Sequence, residues 1–182
     1  MVWFWIYSLL NARGARIGIN WQAPGIYIPM MVYPYVFGML LLVILPFTFN
    51  VKTRNFYPLL LLYLITSIFM FAVYYIFPVK IIRRDYGGPL FADYLMRLII
   101  GLDDPGNCFP SNHCAVATLG YIGMRISKAQ GWIKTVTLFL TLLVCLSTVL
   151  VGQHYWIDIP SGIALAVTTY LIFKRFLNIS EV

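Results

Sequence analysis

An all-α bundle of five to six transmembrane helices is the fold class this sequence predicts, and three observations predict it. Of the 182 residues, 61% are hydrophobic and only 10% are charged, against about a quarter charged in an ordinary soluble domain. Five apolar stretches approach the ~20 residues that a membrane-crossing helix needs. Basic residues fall in the short gaps between those stretches, and aromatic residues (Tyr33, Tyr35, Tyr57, Trp132, Tyr155, Trp156) crowd their ends, as an interfacial belt requires. The formal charge of +7 therefore follows a membrane pattern rather than a basic stripe, and no nucleic-acid partner is expected. The length suits one domain over residues 1–182.

The first apolar run covers Ile28 to Phe49, with Pro34 and Pro46 near its ends, and the second covers Tyr57 to Phe77. A third, less apolar, runs from Ser111 to Ile126, a fourth from Trp132 to Val151 and a fifth from Tyr155 to Leu177. Ahead of them, Val2 to Asn11 is apolar but too short to cross a bilayer. It reads as an interfacial helix followed by a polar loop over Ala12 to Gly25, so that residues 1–27 form an interfacial N-terminal segment.

The connection over residues 78–110 carries most of the charge outside the helix ends, with Gly87-Gly88-Pro89 and Asp104-Pro105-Gly106 as breakers. Between the breakers, Leu90 to Leu102 has helical spacing and can lie flat on the membrane. A long charged connection is a candidate active-site loop.

Five crossings place residues 1–27, 78–110 and 152–155 on one face, and residues 50–56, 127–131 and the C-terminal tail on the other. The second face holds Lys52, Arg54, Lys128, Lys174 and Arg175 with almost no acid. The positive-inside rule then sets the loop on the extracytoplasmic face, where the sequon Asn178-Ile179-Ser180 does not fall.

The only two histidines, His113 and His154, lie at membrane boundaries on the loop face, where ionisable residues are costly and are functional candidates. His154 and Asp158 are four apart where the fifth helix is expected to begin, a spacing that stacks them on one helical face. A carboxylate so placed accepts a hydrogen bond from one ring nitrogen and leaves the other as a nucleophile.

Pro110-Ser111-Asn112-His113 reads as a helix start with Ser111 at the cap. Free backbone donors at Ser111 and Asn112 would cradle an anion, and His113 could protonate a leaving oxygen. Lys80, Arg83 and Arg84 are available to stabilise a phosphoryl transition state. Cys108 and Cys114 flank this stretch, but spacing alone does not establish disulfide geometry. With no C-x-x-C pair, no metal or other cofactor is expected.

Phe109-Pro110-Ser111-Asn112-His113 resembles the Pro-Ser-x-His motif of the type 2 phosphatidic acid phosphatase (PAP2) superfamily, and Ser147 to Asp158, STVLVGQHYWID, resembles its Ser-Arg-x5-His-x3-Asp motif. The chain departs at Thr148, which stands for the motif arginine. It departs again in the Lys-x6-Arg-Pro motif, since Gly87 comes seven residues after Lys80 and Asp85 follows Arg84. The Ser-Thr-x5-His-Tyr form is similar to the inositolphosphotransferase and sphingolipid synthase-like branch.

The resemblance implies a metal-independent phosphatase on a PAP2-like helical core. His154 would attack phosphorus, Asp158 would orient it, and His113 would protonate the leaving group. The expected function is a membrane-embedded lipid phosphate or pyrophosphate phosphatase acting through a phosphohistidine. Phosphatidic acid, phosphatidylglycerol phosphate or a polyprenyl pyrophosphate would be the substrate, and membrane lipids the other partners. The alternative is a headgroup phosphotransferase using the same histidine, and a third class is a non-enzymatic membrane protein with a decayed site.

Overall fold

The computed structural model describes residues 2–22 and 25–180. The chain opens with helix α1 (Val2–Ile17) and strand β1 (Ile19–Gln22). A long helical stretch, Pro29–Asn50, follows, made of a 3-10 turn (Pro29–Met31), a wide π segment (Pro34–Gly38) and helix α2 (Met39–Asn50). Helix α3 (Phe56–Ile76), strand β2 (Val79–Ile82), and helices α4 (Phe91–Leu102), α5 (Asn112–Arg125), α6 (Gly131–Leu150) and α7 (Asp158–Phe173) complete the order.

Three stretches, Pro29–Asn50, Phe56–Ile76 and Gly131–Leu150, are long and apolar enough to cross a membrane, which fits an integral membrane protein. Their outward faces carry Leu41, Ile44, Leu60, Leu64, Ile68, Phe139 and Leu142, all exposed, while Thr66, Thr137 and Thr141 are buried and return their hydroxyls to backbone carbonyls. Apolar outside and satisfied polar inside is the arrangement a lipid solvent demands. The five stretches expected to be apolar all form helices. However, α5 and α7, at 14 and 16 residues, are about 21 and 24 Å long, short of the ~30 Å hydrocarbon core.

Helix α5 is the centre of the bundle and packs against α2, α3, α6 and α7. Ala115, Ala117, Leu119, Ile122 and Met124 of α5 are buried. A helix covered on nearly every side has no need of an apolar lipid face, which explains why its sequence is the least apolar of the five.

The fold differs from the all-α expectation in one respect. Strands β1 and β2 pair in parallel, from Ile19 with Val79 to Gln22 with Ile82, and Asn107 bridges to the other side of Val79. The N-terminal segment differs too. Helix α1 runs on to Ile17 and the strand follows directly, where a polar loop over 12–25 was expected; residues 23 and 24 of that loop lie outside the described residues.

The reason is contact with the 103–107 loop. Gly14 and Gly106 face each other, and a Cβ on Gly106 would sit 2.0 Å from the Asn11 carbonyl oxygen. The Gly106 N–H donates to Asn11 Oδ1 at 2.8 Å, and Asn107 Nδ2 donates to the Tyr7 carbonyl at 3.1 Å. At the opposite end of the bundle the basic gaps lie together. Asn55 bonds the Ile126 and Ser180 carbonyls, Lys52, Arg54 and Lys128 share one surface hollow, and Arg54, Lys174 and Arg175 share another.

Candidate active site

His154 lies in the turn between α6 and α7. The sequence spacing suggested that it rode on the helix, but α7 begins at Asp158 itself. The two still meet: the turn closes with Asp158 N–H on the Tyr155 carbonyl, and His154 Nδ1 is 3.1 Å from Asp158 Oδ2. Gly152, at φ +74°, makes the reversal ahead of them, a conformation that L side chains resist.

His154 Nδ1 is also 2.9 Å from the Cys108 carbonyl oxygen. Its near oxygen neighbours are acceptors, so Nδ1 carries the proton and Nε2 is left with its lone pair. Asp158 is fully buried, and its Oδ2 also accepts the Tyr155 N–H at 2.8 Å and the Cys108 thiol at 3.3 Å. Burial, reinforced by the Asp158 charge, pushes the Cys108 thiol well above its ordinary range, so it stays protonated and donates. Cys108 Sγ, His154 Nδ1 and Asp158 Oδ2 lie within 4.8 Å of one another. This is a cation-sized grouping whose contacts are those of a hydrogen-bonded relay.

His113 stands at the start of α5, capped by Ser111, whose hydroxyl accepts the Cys114 N–H at 3.3 Å. Its ring stacks on Tyr35 at 4.5 Å and meets the His154 ring edge-on at 5.8 Å. Tyr35 is therefore a wall of the site, buried to 5% exposure, rather than part of an interfacial belt. The wide turn over Pro34–Gly38 carries it, a device common at functional sites. The α3 hydroxyl Tyr74 Oη fixes the approach to α5 by donating to the Pro110 carbonyl at 2.9 Å.

Both histidines line a narrow cleft of ≈ 20 Å³ together with Tyr7, Tyr35, Arg83, Asp103, Asn107, Asn112 and Gln153. Of the three expected cations only Arg83 is there. It pairs with Asp103 Oδ2 at 3.0 Å and donates to the Asp103 and Asp104 carbonyls, while its buried Nε has no partner among the described residues. Lys80 Nζ instead donates to the Ala15 carbonyl at 3.0 Å, securing α1. Arg84 is exposed and lies over the Tyr27 ring at 4.5 Å. Ser111 is occupied as a cap, and Asn112 is at the cleft wall.

The alternation of β2 explains the choice. Val79 and Ile81 point inward toward Cys108, and Arg83 continues that side while Lys80 and Arg84 take the other. Thr148, in the place of the motif arginine, is fully buried inside α6 and bonds its own turn at Cys145, so it offers the cleft nothing.

Several site residues are brought in by contacts between segments distant in sequence. Asp103 Oδ1 accepts from Tyr7 Oη at 3.1 Å and Asn11 Nδ2 at 2.6 Å. Tyr7, Asn11 and Gly14 are spaced four and three apart, so they form one helical face, and that face meets the loop. Gln153 is buried and donates to Tyr86 Oη at 2.8 Å, bracing the turn that holds His154. Cys108, Cys114 and Cys145 are all free and buried.

Neither the curated proteins nor the solved structures contain a match to this chain. Residues 96–172, which hold α5, α6 and all but the last residue of α7, with His113, His154 and Asp158 but not Arg83, match the family model described as the PAP2 superfamily.

Proposed function

We propose that the protein is a membrane-embedded lipid phosphate or pyrophosphate phosphatase that works through a phosphohistidine on His154. The observation that carries this reading is the Nδ1–H of His154 held between Asp158 Oδ2 and the Cys108 carbonyl, with His113 across the same cleft. Nε2 of His154 attacks phosphorus, and the bond from phosphorus to the ester or anhydride oxygen breaks. That oxygen takes its proton from His113. Positive charge developing on the His154 ring is met by the Asp158 carboxylate.

Arg83 supplies the phosphate charge that the motif arginine would give elsewhere, exchanging Asp103 for phosphoryl oxygens. Water then discharges the phosphoenzyme. No metal is part of this scheme. The tail lies along the apolar faces of five to six membrane-crossing helices, with the cleft opening to the extracytoplasmic side. Transfer to a headgroup alcohol uses the same first step and is the second reading, favoured by the Ser-Thr-x5-His-Tyr form of residues 147–155.

The test is phosphate release in detergent from phosphatidic acid, phosphatidylglycerol phosphate and undecaprenyl pyrophosphate, with EDTA present. Release that survives EDTA and is lost in His154→Ala is expected. Release unchanged in the mutant would remove the nucleophile assignment. Product that appears only with an added alcohol would move the reading to transfer.

A further inference from the structure

The cleft contains a polar group that the scheme above does not use. Asn107 is 8% exposed and lines the cleft with His113 and Arg83. Its backbone is fixed by the bridge to Val79, and its Nδ2 donates to the Tyr7 carbonyl at 3.1 Å. A carbonyl can only accept, so the amide has one orientation, with nitrogen toward α1 and Oδ1 on the other branch. That Oδ1 is buried and has no hydrogen-bond partner among the described residues, as is true of His113 Nδ1 and Arg83 Nε. Buried polar atoms without partners are rare enough to need a reason.

The three differ in what they demand. Arg83 Nε is a donor and suits a phosphoryl oxygen. Asn107 Oδ1 is an acceptor and repels one, because an ionised phosphoryl group has only lone pairs to offer. It requires an O–H or N–H. The hydroxyl that discharges a phosphoenzyme is such a donor, and its identity matters. Water has two protons, one for the base and one to spare, whereas a simple alcohol has one.

We propose that Asn107 binds the nucleophile of the second half-reaction and selects water over an alcohol. This rests on the phosphohistidine reading and deepens it. Water sits in the space lined by Asn107 and His113, one hydrogen on Asn107 Oδ1 and the other on the neutral His113 ring. Its oxygen forms the new bond to phosphorus as the bond from phosphorus to His154 Nε2 breaks, and that electron pair returns to the imidazole. The transferred proton ends on His113, which restores the acid for the next cycle. An alcohol that gives its one proton to His113 leaves Asn107 Oδ1 facing carbon, buried and unpaired, which disfavours it. Asn107 thereby makes the site a hydrolase rather than a transferase.

The experiment is a nucleophile partition with ³²P-labelled dioctanoyl phosphatidic acid, rapid acid-free quench of the phosphoenzyme, and methanol as competing acceptor. Wild type should give inorganic phosphate in large excess over methyl phosphate. Asn107→Leu, similar in shape but without the acceptor, should form the phosphoenzyme at an unchanged rate. It should discharge to water about tenfold more slowly, the worth of one positioned hydrogen bond, and shift the partition toward methyl phosphate. Asn107→Asp keeps an acceptor while losing the donor to Tyr7, and should keep the preference for water even if the loop is weakened.

A parallel fall in formation and discharge with an unchanged partition in Asn107→Leu would overturn the proposal and leave a structural asparagine. So would loss of the water preference in Asn107→Asp, which also decides the matter if the leucine variant fails to fold. Absence of any label in wild type while phosphate is still released would overturn the phosphohistidine reading and the assignment to Asn107 with it.

Discussion

Replacing Asp158 by Asn separates the electrostatic part of the His154 pair from its geometry. Asp158 Oδ2 accepts from Tyr155 N–H, His154 Nδ1 and the Cys108 thiol at 2.8, 3.1 and 3.3 Å, while Oδ1 has no partner among the described residues. An asparagine keeps these acceptor contacts if its oxygen occupies the Oδ2 place, so the ring stays where it is. What is lost, in the proposed scheme, is the charge that would meet a phosphorylated imidazole.

Two unit charges 3.1 Å apart attract by about 5 kcal/mol at an effective dielectric of ~20. A neutral amide oxygen retains about half of that, so the transition state loses about 3 kcal/mol, or roughly 10²-fold in kcat. The new NH2 sits at the unpartnered Oδ1 position, fully buried, and costs about 1–3 kcal/mol of stability. The assay is steady-state phosphate release beside a thermal unfolding midpoint in the same detergent. A fall in kcat with KM little changed and a lowered midpoint is expected, since in the proposed scheme substrate would meet His154 and not the fully buried Asp158. Turnover within threefold of wild type would refute the claim that Asp158 stabilises charge on His154.

Three further perturbations follow from the site. Arg83→Ala should cost about 10²-fold or more in kcat/KM, as losing a phosphate-facing charge does, and Arg84→Ala less than threefold; the reverse ranking of the two rates would exclude Arg83 from phosphate binding. Gly106→Ala must push a Cβ into the Asn11 carbonyl, and should cost about 1–3 kcal/mol of stability. Its thermal midpoint is to be compared with that of Gly101→Ala, where no atom of the described residues lies within 4 Å. Cys108 should resist iodoacetamide in the folded protein at pH 9 and react on unfolding. Its folded pKa is raised above the ordinary 9.0, so the stability it contributes is present below pH 9 and lost as pH rises beyond that, and Cys108→Ser should lack that part of the alkaline decline in midpoint.

The bundle was legible because run length and breakers are local signals. The runs beginning at Ile28, Tyr57, Ser111 and Trp132 become helical stretches starting within one residue of those positions, and Leu90 to Leu102 becomes α4. His154 and Asp158 were legible as a pair because four residues bring side chains together in a turn as well as in a helix. The fifth helix itself starts three residues later than its apolar run. The cation was not legible. Lys80, Arg83 and Arg84 are equivalent by composition, and only the strand character of 79–82, set by pairing with distant β1, gives the parity that selects Arg83.

Tyr7, Asn11, Asp103 and Asn107 were missed for the same reason. Their roles arise from contacts between residues about 90 to 100 positions apart, and neither hydropathy nor spacing within one segment carries that information. Tyr35 shows the converse. An aromatic residue at the end of an apolar run reads as interfacial, and only the wide turn after Pro34 brings it onto His113.

The most direct test of the account is the location of the phosphoryl group on the enzyme. Protein mixed with ³²P-labelled substrate, quenched within milliseconds and digested should give one labelled peptide containing His154, stable in alkali and labile in acid, and none in His154→Ala. Label on another residue, or rapid phosphate release with no protein-bound phosphorus at any time, would contradict it.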